Sequence, residues 1–478
     1  MKFRLFHFYK SVVFIVTFFA YGLLHANRKS FSNVKPTFTE EWTGTNNNTI
    51  VYPLKNWKRN NLFLGNDSAQ VFLGVLDTVF MGFYAIGLYA SGYIGDRYDP
   101  TLVLSAGMFL SSISIFIFGV LTEWIHFYNY YFYVVFYALN GLFQSTGWPA
   151  TVTIMSNWFG HSRGFWLGLW SGCACVGNII GDLLTASVLD FGYEYGFLVP
   201  CAALFTGSIV VVCSLIAKPE NFGSKLYRYS RIQTVDIVSE NNSVIVENFE
   251  NKNEQYISFW KIILIPGVIP YSLAYACLKL VNYAFFFWLA DYLSMNFNWT
   301  NAAADTISIW YDVGGIIGGI VIGIISDFMW SRSPVTVLSL ILTIPALVVY
   351  RNAPGDVLTN SIYLTITGIV IGGPATLISS AISADLGSEP LLSGNAAALS
   401  TVTGIIDGTG SVGAAIGQVC VPLIQNRFQW QAVFIFFMIM ISITIVCILP
   451  VLIKDIIKRV NLHRKKNAEN PLSFPEIG

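Results

Sequence analysis

Charge is what this sequence has least of. Only 11% of its 478 residues are Asp, Glu, Lys or Arg, where soluble domains carry about 25%. Too little charge is present to cover a soluble surface, so the chain reads as an all-α integral membrane protein. Its 27 basic and 27 acidic residues balance, leaving no basic excess for nucleic acid. The cysteines all fall in apolar stretches, so they read as small buried residues and not as a disulfide framework. Cys173 and Cys175 form a C-x-C without a second pair or a nearby His, which argues against a metal. The chain has no P-loop, no G-x-S-x-G, no H-E-x-x-H and no Ser-His-Asp arrangement. Nothing therefore points to an enzyme or to a cofactor.

Long apolar runs are what it has most of. Stretches able to cross a hydrocarbon core of about 30 Å lie near 9–30, 69–94, 101–121, 128–154, 163–190 and 194–217. They resume near 261–292, 303–327, 334–350, 360–385, 394–424 and 430–455. That pattern predicts an N-terminal six-helix half (1–217), a polar cytosolic linker (218–258), a C-terminal six-helix half (259–455) and a cytosolic tail (456–478). The first run exceeds a signal-peptide core, so it is expected to be retained. With the N-terminus inside, most Lys and Arg fall on the cytosolic side. Only Lys35, Lys55, Lys58, Arg59, Arg351 and Arg427 lie in the opposite loops, as positive-inside requires. Sequons at Asn47 and Asn66 then fall in one outer loop, about 31–68, as glycosylation acceptors.

The halves repeat. GWPAT at 147–151 returns as GGPAT at 372–376, and GYIGDR at 92–97 as GIISDF at 323–328. Two matches at nearly equal offset predict duplicated halves. In the second motif a glycine (Gly92, Gly323) precedes an aspartate (Asp96, Asp327) by one helical turn. The small residue lets helices approach closely. The carboxylate can accept from a neighbouring helix end or pair with Arg97, latching the cytosolic side. A simple border charge is the rival reading, which the repeat disfavours. In the second copy Phe328 replaces the arginine, and the next cation is Arg332.

Cations within the apolar runs carry the functional signal. At 1.5 Å per residue, Arg28 lies about 27 Å beyond Lys10, near the outer edge of a bilayer. Helix length alone thus leaves Arg28 and Lys29 open as border anchors or as half of an anion site. Tyr21, His25 and Arg28 share one face at i, i+4, i+7, and Lys29 points elsewhere. Lys279 lies in a long uncharged stretch, too far from an interface to snorkel. A charge there costs at least ~2.5–3.5 kcal/mol and is usually retained for function. Tyr275, Asn282 and Tyr283 share its face. Helix 7 is the repeat mate of helix 1, so Arg28 and Lys279 would flank a central pathway. With no mid-helix carboxylate clearly placed to neutralise them, they suit a dianion, and Arg offers phosphate a fork. Asn140, Gln144, Asn178, Asp182 and Asn395 read first as helix–helix hydrogen bonds, and Asp407 as part of a glycine-rich hinge.

Taken together, YGLLHANRKSFSNVK, GLFQSTGWPATVTIMSNWFG, RGFWLGLW, LKLVNYAFFFWLADYL and GIIDGTGSVGAAIG resemble the organophosphate/phosphate antiporters of the major facilitator superfamily. The resemblance is closest to the eukaryotic sugar-phosphate exchangers of solute carrier family 37. It implies a major facilitator fold with 12 transmembrane helices, a central pathway, and exchange of a sugar phosphate such as glucose 6-phosphate for inorganic phosphate. Arg28 and Lys29 match the family's Arg-Lys pair, of which the Arg is expected to bind phosphate. Lys279 matches the basic position of helix 7. His25, Gln144, Trp148 and Tyr283 fall on motif positions. Ser171 and Cys173 stand where relatives often show Asn and His, which implies a missing polar contact. Small anions and the lipid bilayer are the implied partners. The family suggests the endoplasmic reticulum membrane, and a later endomembrane or the plasma membrane stays open. Two rivals remain: a carrier for another organic anion, proton-coupled through His25, and a sensor that binds sugar phosphate without moving it.

Overall fold

The computed structural model describes residues 2–43, 62–63, 66–159, 163–220, 258–299, 301–388 and 398–469. Most of the linker, the sequon at Asn47, Asn395 and the end of the tail lie outside the described residues, and Asn66 opens a helix. In the first half the spans are α1 (Lys2–Trp42), α2 (Asn66–Gly95), α3 (Pro100–Trp124), α4 (Tyr130–Gln144 and Gly147–Trp158), α5 (Arg163–Ser171 and Cys173–Ala186) and α6 (Tyr193–Ser214). The second half follows as α7 (Val268–Phe297), α8 (Asn301–Phe328), α9 (Ser333–Arg351), α10 (Val357–Gly387), α11 (Leu399–Gln425) and α12 (Arg427–Leu462). Gln429, with φ of 66°, turns the chain near the start of α12, whose helix runs on to Glu469. Eleven helices among the described residues are long and apolar enough to cross a membrane. The remaining span, α4, is in two pieces.

A repeated proline lies just beyond that break. Pro149 cannot donate to the carbonyl four residues back, Ser145, and its ring crowds it. The freed carbonyl is taken by the Ser91 hydroxyl of α2 at 3.0 Å. In the second half Pro374 frees Val370 in the same way, and Thr343 of α9 donates to that carbonyl at 2.8 Å. Each half thus satisfies its orphaned carbonyl with a hydroxyl from a neighbouring helix, as a membrane interior requires.

One boundary differs from expectation. The first helix runs on to Trp42 and does not give way to a loop near residue 31. Aromatic packing holds the extension: Phe31 lies 4.5 Å from Tyr137, Phe38 4.6 Å from Tyr193 and Trp42 4.9 Å from Tyr133 between ring centroids. Arg28 therefore sits inside a long helix and not at its end.

Candidate functional site

A cavity of about 140 Å³ lies between the halves and is lined from both. Its polar wall includes Tyr21, His25 and Arg28 of α1, Trp148 of α4, and Ser171, Cys175 and Asn178 of α5. The second half contributes Tyr275, Lys279, Asn282 and Tyr283 of α7, Asp312 of α8 and Asp407 of α11. Its volume is below the ~300–1,000 Å³ of pockets for drug-sized ligands, so its scale is that of a small solute.

Arg28 is 6% exposed, which decides its reading: it is not a border anchor. Its Nε–H donates to Gln144 Oε1 at 3.3 Å. The guanidinium carbon lies 4.7 Å from the Tyr84 ring centroid and 5.3 Å from that of Phe80. Its Nη1 is buried and has no hydrogen-bond partner. A buried cation with an unused donor is costly until an acceptor arrives. Gln144 stands behind the cavity wall, where it donates to Asn27 at 3.3 Å and to Asn140 at 3.4 Å. It contacts Arg28 from outside the cavity lining.

Lys279 corrects the expectation of two uncompensated cations. It is 2% exposed, and its Nζ donates to Asp407 at 2.7 Å and to Ser411 at 2.8 Å. Asp407 is thus the counter-ion of Lys279 and not simply part of a hinge. The α11 glycines make this possible: a Cβ on Gly413 would stand 2.1 Å from the Ala276 carbonyl oxygen, so only glycine lets α11 lie against α7 this closely. The Tyr275, Tyr283 and Tyr84 rings surround the ammonium at 5.4, 5.1 and 5.8 Å.

The remaining expected residues divide. His25 Nδ1 lies 3.1 Å from Asn178 Oδ1, which can only accept, so the ring donates there. Asn178 is therefore a cavity residue as well as a helix–helix contact. Lys29 is half-buried outside the lining, with its Nζ 5.2 Å from the centroid of Phe286 across the halves. The Trp148 indole donates to the Ser379 carbonyl at 3.1 Å, also across the halves. Asn282 accepts from the Tyr311 hydroxyl at 2.7 Å. On α5, Ser171 faces the cavity, while Cys173 is fully buried where α5 packs on Gly22 of α1. The polar contact expected at Cys173 is thus not a cavity position. Cys175 is one, and its thiol donates to Asp312 at 3.4 Å.

The paired G-x-x-x-D motifs meet at the face where α1 begins and α12 ends. Asp96 accepts from the backbone N–H of Ser400 and Thr401, both at 2.8 Å, and so caps α11. Asp327 accepts from the N–H of Phe165 at 2.8 Å, near the start of α5. Each half therefore caps a helix of the other, which places carboxylates at positive helix ends. Arg97 turns back onto its own Tyr93, whereas Arg332 supplies the cation for Asp327 at 3.0 Å and also pairs with Asp385. Burial pushes the Asp96 carboxyl up to about 6, while the Thr401 side chain and the backbone donors pull it down.

Close backbone approach accompanies these caps. A Cβ on Gly92 would stand 2.7 Å from the Ser400 carbonyl oxygen, and one on Gly168 2.3 Å from that of Gly319. Backbone cannot swing aside as a side chain can. Gly168→Ala is therefore expected to separate α5 from α8. Spin labels at the exposed positions Tyr98 and Phe328 would then report a new, longer distance population; an unchanged distribution would reject this.

The Major Facilitator Superfamily profile matches residues 17–402. Sugar phosphate exchanger 3 of Mus musculus is 50% identical over 462 residues, which cover 94% of both chains. The glucose-6-phosphate exchanger of Xenopus laevis is 35% identical over 460 residues, 92% of this chain and 91% of that one. A solved proton:xylose symporter of the major facilitator superfamily superposes with a TM-score of 0.64, covering 92% of this chain and 94% of that chain. At 11% identity, that likeness concerns the fold alone.

Proposed function

The chain belongs to the major facilitator superfamily and, within it, to the sugar-phosphate exchangers; on that premise we propose that it exchanges a sugar phosphate for inorganic phosphate by alternating access. The observation that carries the reading is Arg28, buried in the central cavity with Nη1 unused and Lys279 on the opposite wall. The phosphate would take the free edge of the guanidinium and draw the two halves together, each contributing one cation. Tyr84 lies between the two cations and would transmit that closure. In this reading the terminus-bearing face is cytosolic, the membrane is that of the endoplasmic reticulum, and the outer loop is glycosylated.

The test is reconstitution in phosphate-loaded liposomes with labelled glucose 6-phosphate outside. Uptake is expected to require internal phosphate. Equal uptake into phosphate-free liposomes would overturn exchange.

The Asp312 side of the cavity suits the sugar. A carboxylate near a phosphate site repels the phosphate, so Asp312 has a better use as an acceptor for hydroxyls. Asp312→Asn keeps an acceptor for the Cys175 thiol but removes the charge. A hydrogen bond to a charged group is worth about 1 kcal/mol more than a neutral one. The variant is therefore expected to exchange phosphate for phosphate normally, with competition by glucose 6-phosphate weakened about fivefold to tenfold. Parallel losses for both solutes would place Asp312 outside sugar recognition.

A further inference from the structure

A second cavity lies away from the centre, at the terminus-bearing face of the second half, with a volume of about 640 Å³. Its three carboxylates are all engaged. Asp327 and Asp385 hold Arg332, and Asp455 accepts from the hydroxyls of Ser331 and Ser333, both at 2.5 Å. The end of α12 forms another wall with Lys454, Lys458 and Arg459, at i, i+4 and i+5 on one helix side. All three are exposed, and none has a carboxylate partner among the described residues. Four cations (Arg332, Lys454, Lys458 and Arg459) against three carboxylates leave the lining with a net charge of +1, and the three exposed cations of α12 are unpaired among the described residues.

Its rim is apolar. Trp330 and Leu462 line it and are exposed, and beside them Phe328 is 87% exposed. The short helix Phe259–Ile263, which leads to the lining residues Pro266 and Gly267, presents Trp260 at 73% exposure. Large aromatic side chains left exposed where a spanning helix ends sit at the headgroup level of a bilayer. Unpaired cations at the end of a spanning helix attract anionic lipid. A soluble anion would use the cations but gain nothing from the rim, whereas a lipid uses both.

We propose that this cavity binds the phosphorylated headgroup of an anionic membrane lipid, with Lys454, Lys458 and Arg459 on the phosphates and the acyl chains leaving past Trp330. The site is separate from the central cavity and does not depend on which solute is exchanged. It also adjoins Arg332, the partner of Asp327, so an occupied site stands next to the cap on α5.

The purified full-length chain is titrated with three probes: dioctanoyl phosphatidylinositol 4-phosphate, dioctanoyl phosphatidylcholine and soluble inositol 1,4-bisphosphate, each followed by native mass spectrometry and thermal unfolding. The phosphorylated lipid is expected to bind and raise Tm, phosphatidylcholine to do neither, and the soluble headgroup to bind at least about tenfold more weakly. The K454Q/K458Q/R459Q variant is expected to lose about tenfold or more in affinity for the lipid while exchange in liposomes persists. The single variants K454Q and R459Q, each with a smaller loss in the same direction, serve if the triple variant does not fold. Trp330→Ala should weaken the lipid and leave the soluble headgroup unchanged. Binding of the lipid undiminished by these charge substitutions, or equal binding of phosphatidylcholine, would overturn the site. Equal affinity for the soluble bisphosphate would overturn the lipid as its occupant.

Discussion

Replacing Arg28 by alanine is expected to lower exchange by at least about 100-fold while leaving the protein folded. The guanidinium is the one central cation without a carboxylate partner among the described residues, and its Nη1 makes no hydrogen bond. A charge-assisted hydrogen bond contributes about 1.5–3 kcal/mol, and a charge pair at about 4 Å contributes roughly 4 kcal/mol at an effective dielectric near 20. Either alone exceeds about one power of ten, at 1.4 kcal/mol each. Folding loses little, because the substitution also removes an incompletely paired buried charge. Arg28→Lys keeps the charge but not the fork, so it should retain part of the activity. The rate of phosphate:phosphate exchange in liposomes, read beside the thermal unfolding midpoint, checks both statements. Undiminished exchange by the alanine variant would remove Arg28 from the site.

The second large effect concerns Lys279 and Asp407. Asp407→Asn leaves a lysine that is 2% exposed without its counter-ion. Breaking such a pair from one side costs about 3–5 kcal/mol. An anion in the cavity can take over the vacated role, so phosphate should restore much of the lost stability. The expected result is a large drop in unfolding temperature without phosphate and a much smaller one in its presence. A drop independent of phosphate would mean that Lys279 does not face the bound anion. Lys279→Met with Asp407→Leu removes both charges together and should fold better than either single variant. That double variant is still expected to fail in exchange, because one wall of the cavity then lacks its cation.

These two cases show how legibility divides. Lys279 stands out in the sequence because a lysine far from any interface has few uses other than function. Asp407 is equally visible as a residue, but its partner lies in another helix of the same half, and no periodicity along α11 reveals that distance. Tyr84 carried no signal at all: a phenol in an apolar run becomes a site residue only when α2 is laid beside α1 and α7. Cys173 is visible in the sequence, but its place outside the cavity is not. Two residues apart on a helix, Ser171 and Cys173 cannot easily share a face, and the cavity instead takes Ser171, Cys175 and Asn178. Helix 1 outruns its apolar stretch because hydropathy marks where lipid ends, whereas the aromatic packing of Phe38 and Trp42 decides where the helix ends.

By itself the sequence determined the membrane class, the six-plus-six layout, the repeated proline and aspartate motifs, and the presence of Arg28 and Lys279 within the spans. Those features are written in local composition and spacing, and the free energy of burying charge and backbone in hydrocarbon enforces them one helix at a time. Only the tertiary structure decided which charges neutralise one another, which donor is left over, and which half caps which helix. Those outcomes depend on the approach of helices far apart in the chain. A hydrogen bond of 2.7 Å between Lys279 and Asp407 exists only when glycines allow α7 and α11 to meet.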